Sequence, residues 1–541
     1  MPRESPHLDE MPYSKEPLKT LYVTQRLLTT LLLVPFWTIY YLCLPRSHRP
    51  RRSWSLKQII AVNFTRRVYR VTEVAGVTWG TRDPDAPCDN HILHETRFEW
   101  VEPLPEEYRT GVIVDDEVPF RKVGTFIWPK ESPAGIPNSS NASRRLDDVH
   151  SSAPDVEAAA GNIPVIGIFL HGGGYCHMSA HESSKTSKIP RRLMKDKAFT
   201  EIHAVEYRLL QHAPFPAAVQ DAAAVYAHLA RMYTQQGCCS TASSSQGASG
   251  SITVNGSPNP DSHSSKNEHF ANPPLSLGYN ESQEKTKGPF SYNAATKKAC
   301  KIILIGDSAG GNLVLALARW IRDETKLPPP DGLLLLSPSC DPSHAFPEAP
   351  SSYIPRPHAS TDYLVDTPEP RALLQRTFLG HNPLETMHSP YVSPASQRVF
   401  RAFYGDQFAT SVESLTIRAL EPEALANLRT MVSVPTTPLL GETLERSPTS
   451  LRRPMMASPR GLSLFSEFPR TCVVLGDAER LEREVIKLVG AMERDGVTVT
   501  TVCVEDGVHD VLMMGWWDEK VRDRVWKDVE DWVENVASSN C

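Results

Sequence analysis

Four stretches of the chain are apolar almost without interruption, PVIGIFL (164–170), KIILIG (301–306), GLLLL (332–336) and TCVVLG (471–476), and two of mixed polarity, EIHAVEYRL (201–209) and VTVTTVCV (497–504), read as further strands. Runs of this length without a polar face predict strands covered on both sides, as in a parallel sheet. Segments with helical spacing stand between or after them: APFPAAVQDAAAVYAHLARMY (213–233), NLVLALARWIRDE (312–324), EPRALLQRTFLG (369–380) and WWDEKVRDRVWKDVEDWVENV (516–536). Earlier, HETRFEWV (94–101) and KVGTFIWP (122–129) alternate with period two and predict antiparallel strands. Alternating strand and helix predicts an α/β fold with one doubly wound, mostly parallel sheet.

Three tracts carry no such period. Residues of about 131–162 are rich in Ser, Asn, Ala and Pro and read as a surface insertion. Residues 235–298 bury too little apolar surface to fold and read as a disordered loop. Residues 408–465 form a second irregular insertion, with a short helix expected in EPEALANLRTM. The N-terminus divides into a polar tail, residues 1–26, and an apolar stretch, residues 27–44, that has no charge. Eighteen residues barely cover a bilayer, so this is a membrane-spanning or membrane-associated helix. Trp54–Arg70 has helical spacing and a basic face, and reads as a helix preceding the α/β domain, which extends over residues 54–540. Four arginines after the apolar stretch favour a cytosolic domain, whereas sequons at Asn63, Asn138, Asn141, Asn255 and Asn280 permit a lumenal one.

Composition narrows the function. A net charge of −6 offers no basic footprint for nucleic acid. Ten scattered cysteines show neither C-x-x-C nor Cys/His ligand spacing, so no metal is expected. Cys340, Cys472 and Cys503 lie in or beside apolar runs and are expected in the core. Nothing in the sequence sets the oligomeric state.

The chemistry concentrates in GDSAGG (306–311), where a strand breaks and re-emerges as a helix. Strand, Gly-x-Ser-x-Gly, helix is the arrangement that thrusts a serine hydroxyl out of a sharp turn. Ser308 is the candidate nucleophile, and Ala309 offers a backbone N–H at a helix start, where negative charge is favoured. HGGGY (171–175), at the end of an earlier strand, supplies the other oxyanion donors through Gly172, Gly173 and Gly174. Gly173 and Gly174 are the expected donors, with His171 and Gly172 shaping the turn. His509, after the last strand, is the candidate base, and both Asp477 and Glu479 are candidate acids after the strand before it. The order Ser, acid, His separates this chain from the His, Asp, Ser order of trypsin-like enzymes, despite the superficial likeness of GDSAGG to GDSGG.

HGGGY, EYRLLQHAPFPAAVQD, GDSAGG and G-x-x-acid-x-L followed by G-x-x-H together resemble the hormone-sensitive-lipase-like group of α/β-hydrolases, which contains bacterial carboxylesterases, arylacetamide deacetylase and fungal steryl acetyl hydrolases. The resemblance frames Glu479 between Gly476 and Leu481 as the acid, where the group usually has aspartate. It also makes Glu206-Tyr207-Arg208-Leu209 a structural support. It implies a serine carboxylesterase acting on short- to medium-chain acyl esters, among them acetylated lipids or sterols, through an acyl-enzyme and without a cofactor. Its membrane-anchored members imply an endoplasmic-reticulum membrane address. Two other readings use the same residues: an acyltransferase of secondary metabolism, and a non-catalytic ligand-binding relative, which retention of His509 disfavours.

Overall fold

The computed structural model describes residues 11–132, 163–242, 300–347, 353–365, 368–406 and 461–539. In chain order the elements are α1 (Leu18–Cys43), α2 (Leu56–Ala75), β1 (Arg97–Val101), β2 (Val123–Trp128), β3 (Val165–Leu170), α3 (Lys188–Lys195), β4 (Glu201–Glu206), α4 (Ala217–Ala242), β5 (Lys301–Asp307), α5 (Ala309–Glu324), β6 (Gly332–Leu336), α6 (Pro368–Leu379), α7 (Gln397–Tyr404), β7 (Thr471–Gly476), α8 (Glu482–Arg494), β8 (Val499–Val504) and α9 (Glu519–Ser538).

The strands form one eight-stranded sheet in the order β1-β2-β4-β3-β5-β6-β7-β8. β1 pairs antiparallel with β2, and β2 antiparallel with β4; every later pairing is parallel. Successive residues of each inner strand point to opposite faces. Thus Ile302 and Leu304 of β5, with Leu333 and Leu335 of β6, join one core, against Val225 and Leu229 of α4, Leu313 and Leu317 of α5 and Leu488 of α8. Ile303 and Ile305, with Leu334 and Leu336, join the other, against Ile59 of α2, Leu193 of α3 and Val529 and Val533 of α9. The long apolar runs are explained by these two cores. β8 lies at the sheet edge, and there the expectation for Cys503 fails: this thiol is exposed, while Cys340 and Cys472 are buried.

At the N-terminus the helix begins at Leu18, ahead of the charge-free stretch, and lies antiparallel along α2. Tyr13 N–H donates to the Val74 carbonyl, Arg26 Nε to the Arg67 carbonyl, and Arg67 to the hydroxyls of Thr29 and Thr30, at 3.0–3.3 Å. α2 starts at a reciprocal Ser55–Gln58 capping box and ends on Gly76 in the left-handed region. Near its C-terminal end Val71, Thr72 and Ala75 are buried in the domain. The backbone of α4 runs on to Ala242, into the tract read as a disordered loop. The rest of that tract, nearly all of 131–162 and residues 407–460, including EPEALANLRTM, lie outside the described residues. The last residues of the 408–465 tract belong to the core, because Leu464 and Phe465 are fully buried. Of the sequons only Asn63 is described; it sits within α2, with its side-chain oxygen 3.4 Å from Arg66.

Candidate active site

β5 delivers its last residues to a turn with no room for side chains. A Cβ on Gly306 would collide with the Gly310 backbone, and one on Gly310 with the Leu170 carbonyl of β3. Ser308 takes φ 50° and ψ −116°, a conformation that non-glycine residues rarely adopt. It is held there because its N–H donates to the Leu336 carbonyl and its own carbonyl accepts from Ser339, both at 2.9 Å. The hydroxyl emerges at the start of α5.

His509 follows β8, and its Nε2 lies 2.9 Å from Ser308 Oγ. Glu479 follows β7 and is fully buried; its Oε2 accepts the Ser337 hydroxyl at 2.6 Å and stands 3.9 Å from His509 Nδ1. That gap exceeds a hydrogen bond, and both Nδ1 and Glu479 Oε1 lack a partner among the described residues. Asp477 turns elsewhere: its carboxylate accepts the Asp506 N–H at 2.7 Å and its carbonyl accepts from Arg51 at 2.8 Å. Of the two candidate acids, Glu479 is therefore the one brought beside the imidazole.

Asp362, which carried no sequence signal, ties these loops together. Its carboxylate accepts the backbone N–H groups of Arg480 at 2.7 Å and His509 at 3.3 Å, and its carbonyl accepts from Arg66 of α2 at 2.7 Å. Burial pushes the Glu479 carboxyl upward, and the neighbouring His509 and the Ser337 hydroxyl pull it back toward its charged form. At His509 burial acts downward, but Asp510, Glu479 and Asp362 outweigh it and lift the imidazole to about 9.

The glycine loop divides its labour. Gly172 is placed differently from an oxyanion donor, because its N–H is already committed to Asp307 Oδ1 at 2.9 Å. Gly173, at φ +110°, and Gly174, at φ +62°, turn the chain toward Ser308. Among the described residues the N–H groups of Gly173, Gly174 and Ala309 meet no protein acceptor, and all three residues border one cavity with Ser308. The loop rests on Tyr207, whose hydroxyl donates to the His171 carbonyl at 2.5 Å and whose ring stacks on His171 at 4.4 Å. Arg208 is locked to Asp221 at 2.8 Å, and Glu206 accepts the Ala180 N–H at 3.0 Å.

The cavity above Ser308 encloses about 140 Å³ and has two kinds of wall. Leu364, Val365, Leu374, Phe378 and Leu481 are apolar; Tyr69, Thr72 and Glu73, from the end of α2, are polar. These α2 residues went unnoticed in the sequence, where the basic face of the helix dominates. Among the described residues no group of three or more His, Cys, Asp or Glu side chains is arranged to hold a metal ion.

Residues 167–404 match a family described by its alpha/beta hydrolase fold. Solved structures similar to the chain include a hormone-sensitive lipase from a metagenome library, at 17% identity over 76% of this chain and 82% of that one, with a TM-score of 0.39. Brefeldin A esterase, a bacterial homologue of human hormone-sensitive lipase, shares 14% identity over 88% and 85%, with a TM-score of 0.44. Carboxyl esterase 2 from the mycorrhizal fungus Tuber melanosporum shares 11% over 86% and 92%, with a TM-score of 0.41. A comparison with curated proteins gives no match.

Proposed function

We propose that this chain is a serine carboxylesterase, a reading supported by the match of residues 167–404 to the alpha/beta hydrolase fold family. The observation that carries the reading is the 2.9 Å approach of His509 Nε2 to Ser308 Oγ on the floor of a cavity bordered by Gly173, Gly174 and Ala309. Ser308 attacks the ester carbonyl while Nε2 takes its proton, and Glu479, behind the ring, stabilises the imidazolium. The three backbone N–H groups receive the oxyanion; loss of one such donor costs roughly 3 kcal/mol in other enzymes. The alcohol leaves with the proton from Nε2, and water then releases the acid from the acyl-enzyme. A cavity of this size fits short- to medium-chain acyl groups, acetylated lipids or sterols among their sources.

We further propose that α1 holds the protein at a membrane, with the endoplasmic reticulum as the address implied by the resemblance to membrane-anchored members of the hormone-sensitive-lipase-like group. α1 is 26 residues long and apolar enough to span a bilayer by length and composition. Leu21, Leu28, Leu32, Phe36, Ile39 and Leu42 along it are exposed. Full-length protein in detergent, given p-nitrophenyl esters from acetate to palmitate, is expected to be most active on the shorter chains. Ser308→Ala should abolish that turnover. Folded protein without Ser308-dependent turnover at any length would refute the reading.

A further inference from the structure

Asp510 sits beside the reacting nitrogen and has no structural duty that explains it. The residue adopts φ 50° and ψ 38° at the start of a short 3₁₀ turn, yet its side chain caps no N–H there. A capping aspartate would accept from the second or third residue of the turn. Instead Oδ2 lies 3.2 Å from His509 Nε2, the nitrogen that also faces Ser308. Oδ1 has no hydrogen-bond partner among the described residues, although the residue is only 8% exposed. The carboxylate borders the cavity, near Tyr69, Thr72 and Glu73 of α2. A buried carboxylate oxygen without a donor is costly, and the residue that bears it lines the space a substrate enters.

The chemistry of ester cleavage says which part of the substrate arrives. In acylation the Ser308 oxygen–carbon bond forms, the carbon–oxygen bond to the alcohol breaks, and the proton on Nε2 passes to the departing oxygen. That oxygen must therefore come within about 3 Å of Nε2. Asp510 Oδ2 is already about that close to the same nitrogen, at 3.2 Å, so the departing alcohol is brought beside this carboxylate. A purely hydrocarbon alcohol leaves Oδ1 unsatisfied and leaves the carboxylate competing with the ester oxygen for the imidazolium N–H. An alcohol with a second donor satisfies the carboxylate and releases that N–H for the leaving oxygen.

We propose that Asp510 is the receptor for the leaving alcohol, and that the preferred esters carry a second hydrogen-bond donor, hydroxyl or ammonium, one or two carbons from the ester oxygen. This rests on the serine carboxylesterase function proposed above, and Asp510 itself takes up no proton in the cycle. A site that hydrogen-bonds a substrate group can reject an analogue lacking it by several orders of magnitude.

The test compares kcat/KM for three butyrates with one acyl group: propyl, 2-hydroxyethyl and 2-(dimethylamino)ethyl, the last protonated near neutral pH. The wild-type full chain should favour at least one donor-bearing ester over propyl butyrate by about tenfold or more, chiefly in kcat. The arm that responds tells hydroxyl from ammonium. Asp510→Asn should bring that ratio close to one. Asp510→Gly, which suits a left-handed backbone, should do the same and guards against misfolding of the first variant. Equal wild-type rates on all three esters, or an unchanged preference in both folded variants, would overturn the assignment and leave the esterase function standing. Absence of Ser308-dependent turnover of every ester would overturn both.

Discussion

His509 meets a carboxylate at each of its nitrogens: Glu479 at 3.9 Å from Nδ1 and Asp510 at 3.2 Å from Nε2. Burial opposes the charged ring, and the surrounding carboxylates nonetheless raise its pKa from 6.5 to about 9. Only neutral imidazole can take the Ser308 proton. The kcat/KM profile should therefore climb with pH to a limb near 9, where an unperturbed histidine would give one near 6.5. The same shift bears on stability with the opposite sense. Because the folded pKa lies above the unfolded one, the contribution is complete below about 6.5 and is lost as pH rises through about 9, which denaturant titrations across that window would record. Glu479→Gln should lower kcat by at least about 100-fold, since changing a triad acid to its amide costs up to about 10,000-fold in a serine protease. Asp477→Asn, whose carboxylate faces the Asp506 backbone, should leave kcat nearly unchanged. Steady-state kinetics on both variants separates the two acids. Ser308, Glu479 and His509 could be read as candidates because their spacing is tied to strand ends. Asp362 and Asp510 could not, since what distinguishes them is burial and which backbone groups they meet after folding.

At the scale of elements, the elbow between β5 and α5 depends on the absence of two side chains. Gly310→Ala places a methyl against the Leu170 carbonyl, so the loss of stability should exceed about 4 kcal/mol, with little folded protein recovered and a much lower melting temperature. The inner strands were readable from their apolar runs because both faces are covered. The basic face of α2 is legible in the sequence, but what its arginines bind is not: Arg66 donates to the carbonyls of Asp362 and Ser360, and Arg67 to the hydroxyls of Thr29 and Thr30. Those groups are distant in sequence, and no helical period reveals them. Arg67→Ala removes two of the bonds that hold α1 on α2 and should cost about 1–2 kcal/mol. Faster hydrogen exchange along Leu18–Cys43 would record the loosened pair.

In the whole molecule the apolar N-terminal helix is joined to the cavity wall through α2. One side of α2 carries α1, and its C-terminal end contributes Tyr69, Thr72 and Glu73 to the space above Ser308. Full-length protein should co-sediment with phospholipid vesicles, and protein lacking residues 1–44 should not; equal sedimentation would remove α1 from that role. The proposed function requires Ser308 to be an activated nucleophile. The most direct measurement is mass spectrometry of the intact chain and its tryptic peptides after exposure to a fluorophosphonate ester. The account predicts a single phosphonyl adduct on the peptide Ile302–Arg319, located at Ser308 and absent from His509→Ala. An unmodified Ser308 in folded protein, or an adduct on another serine, would contradict it.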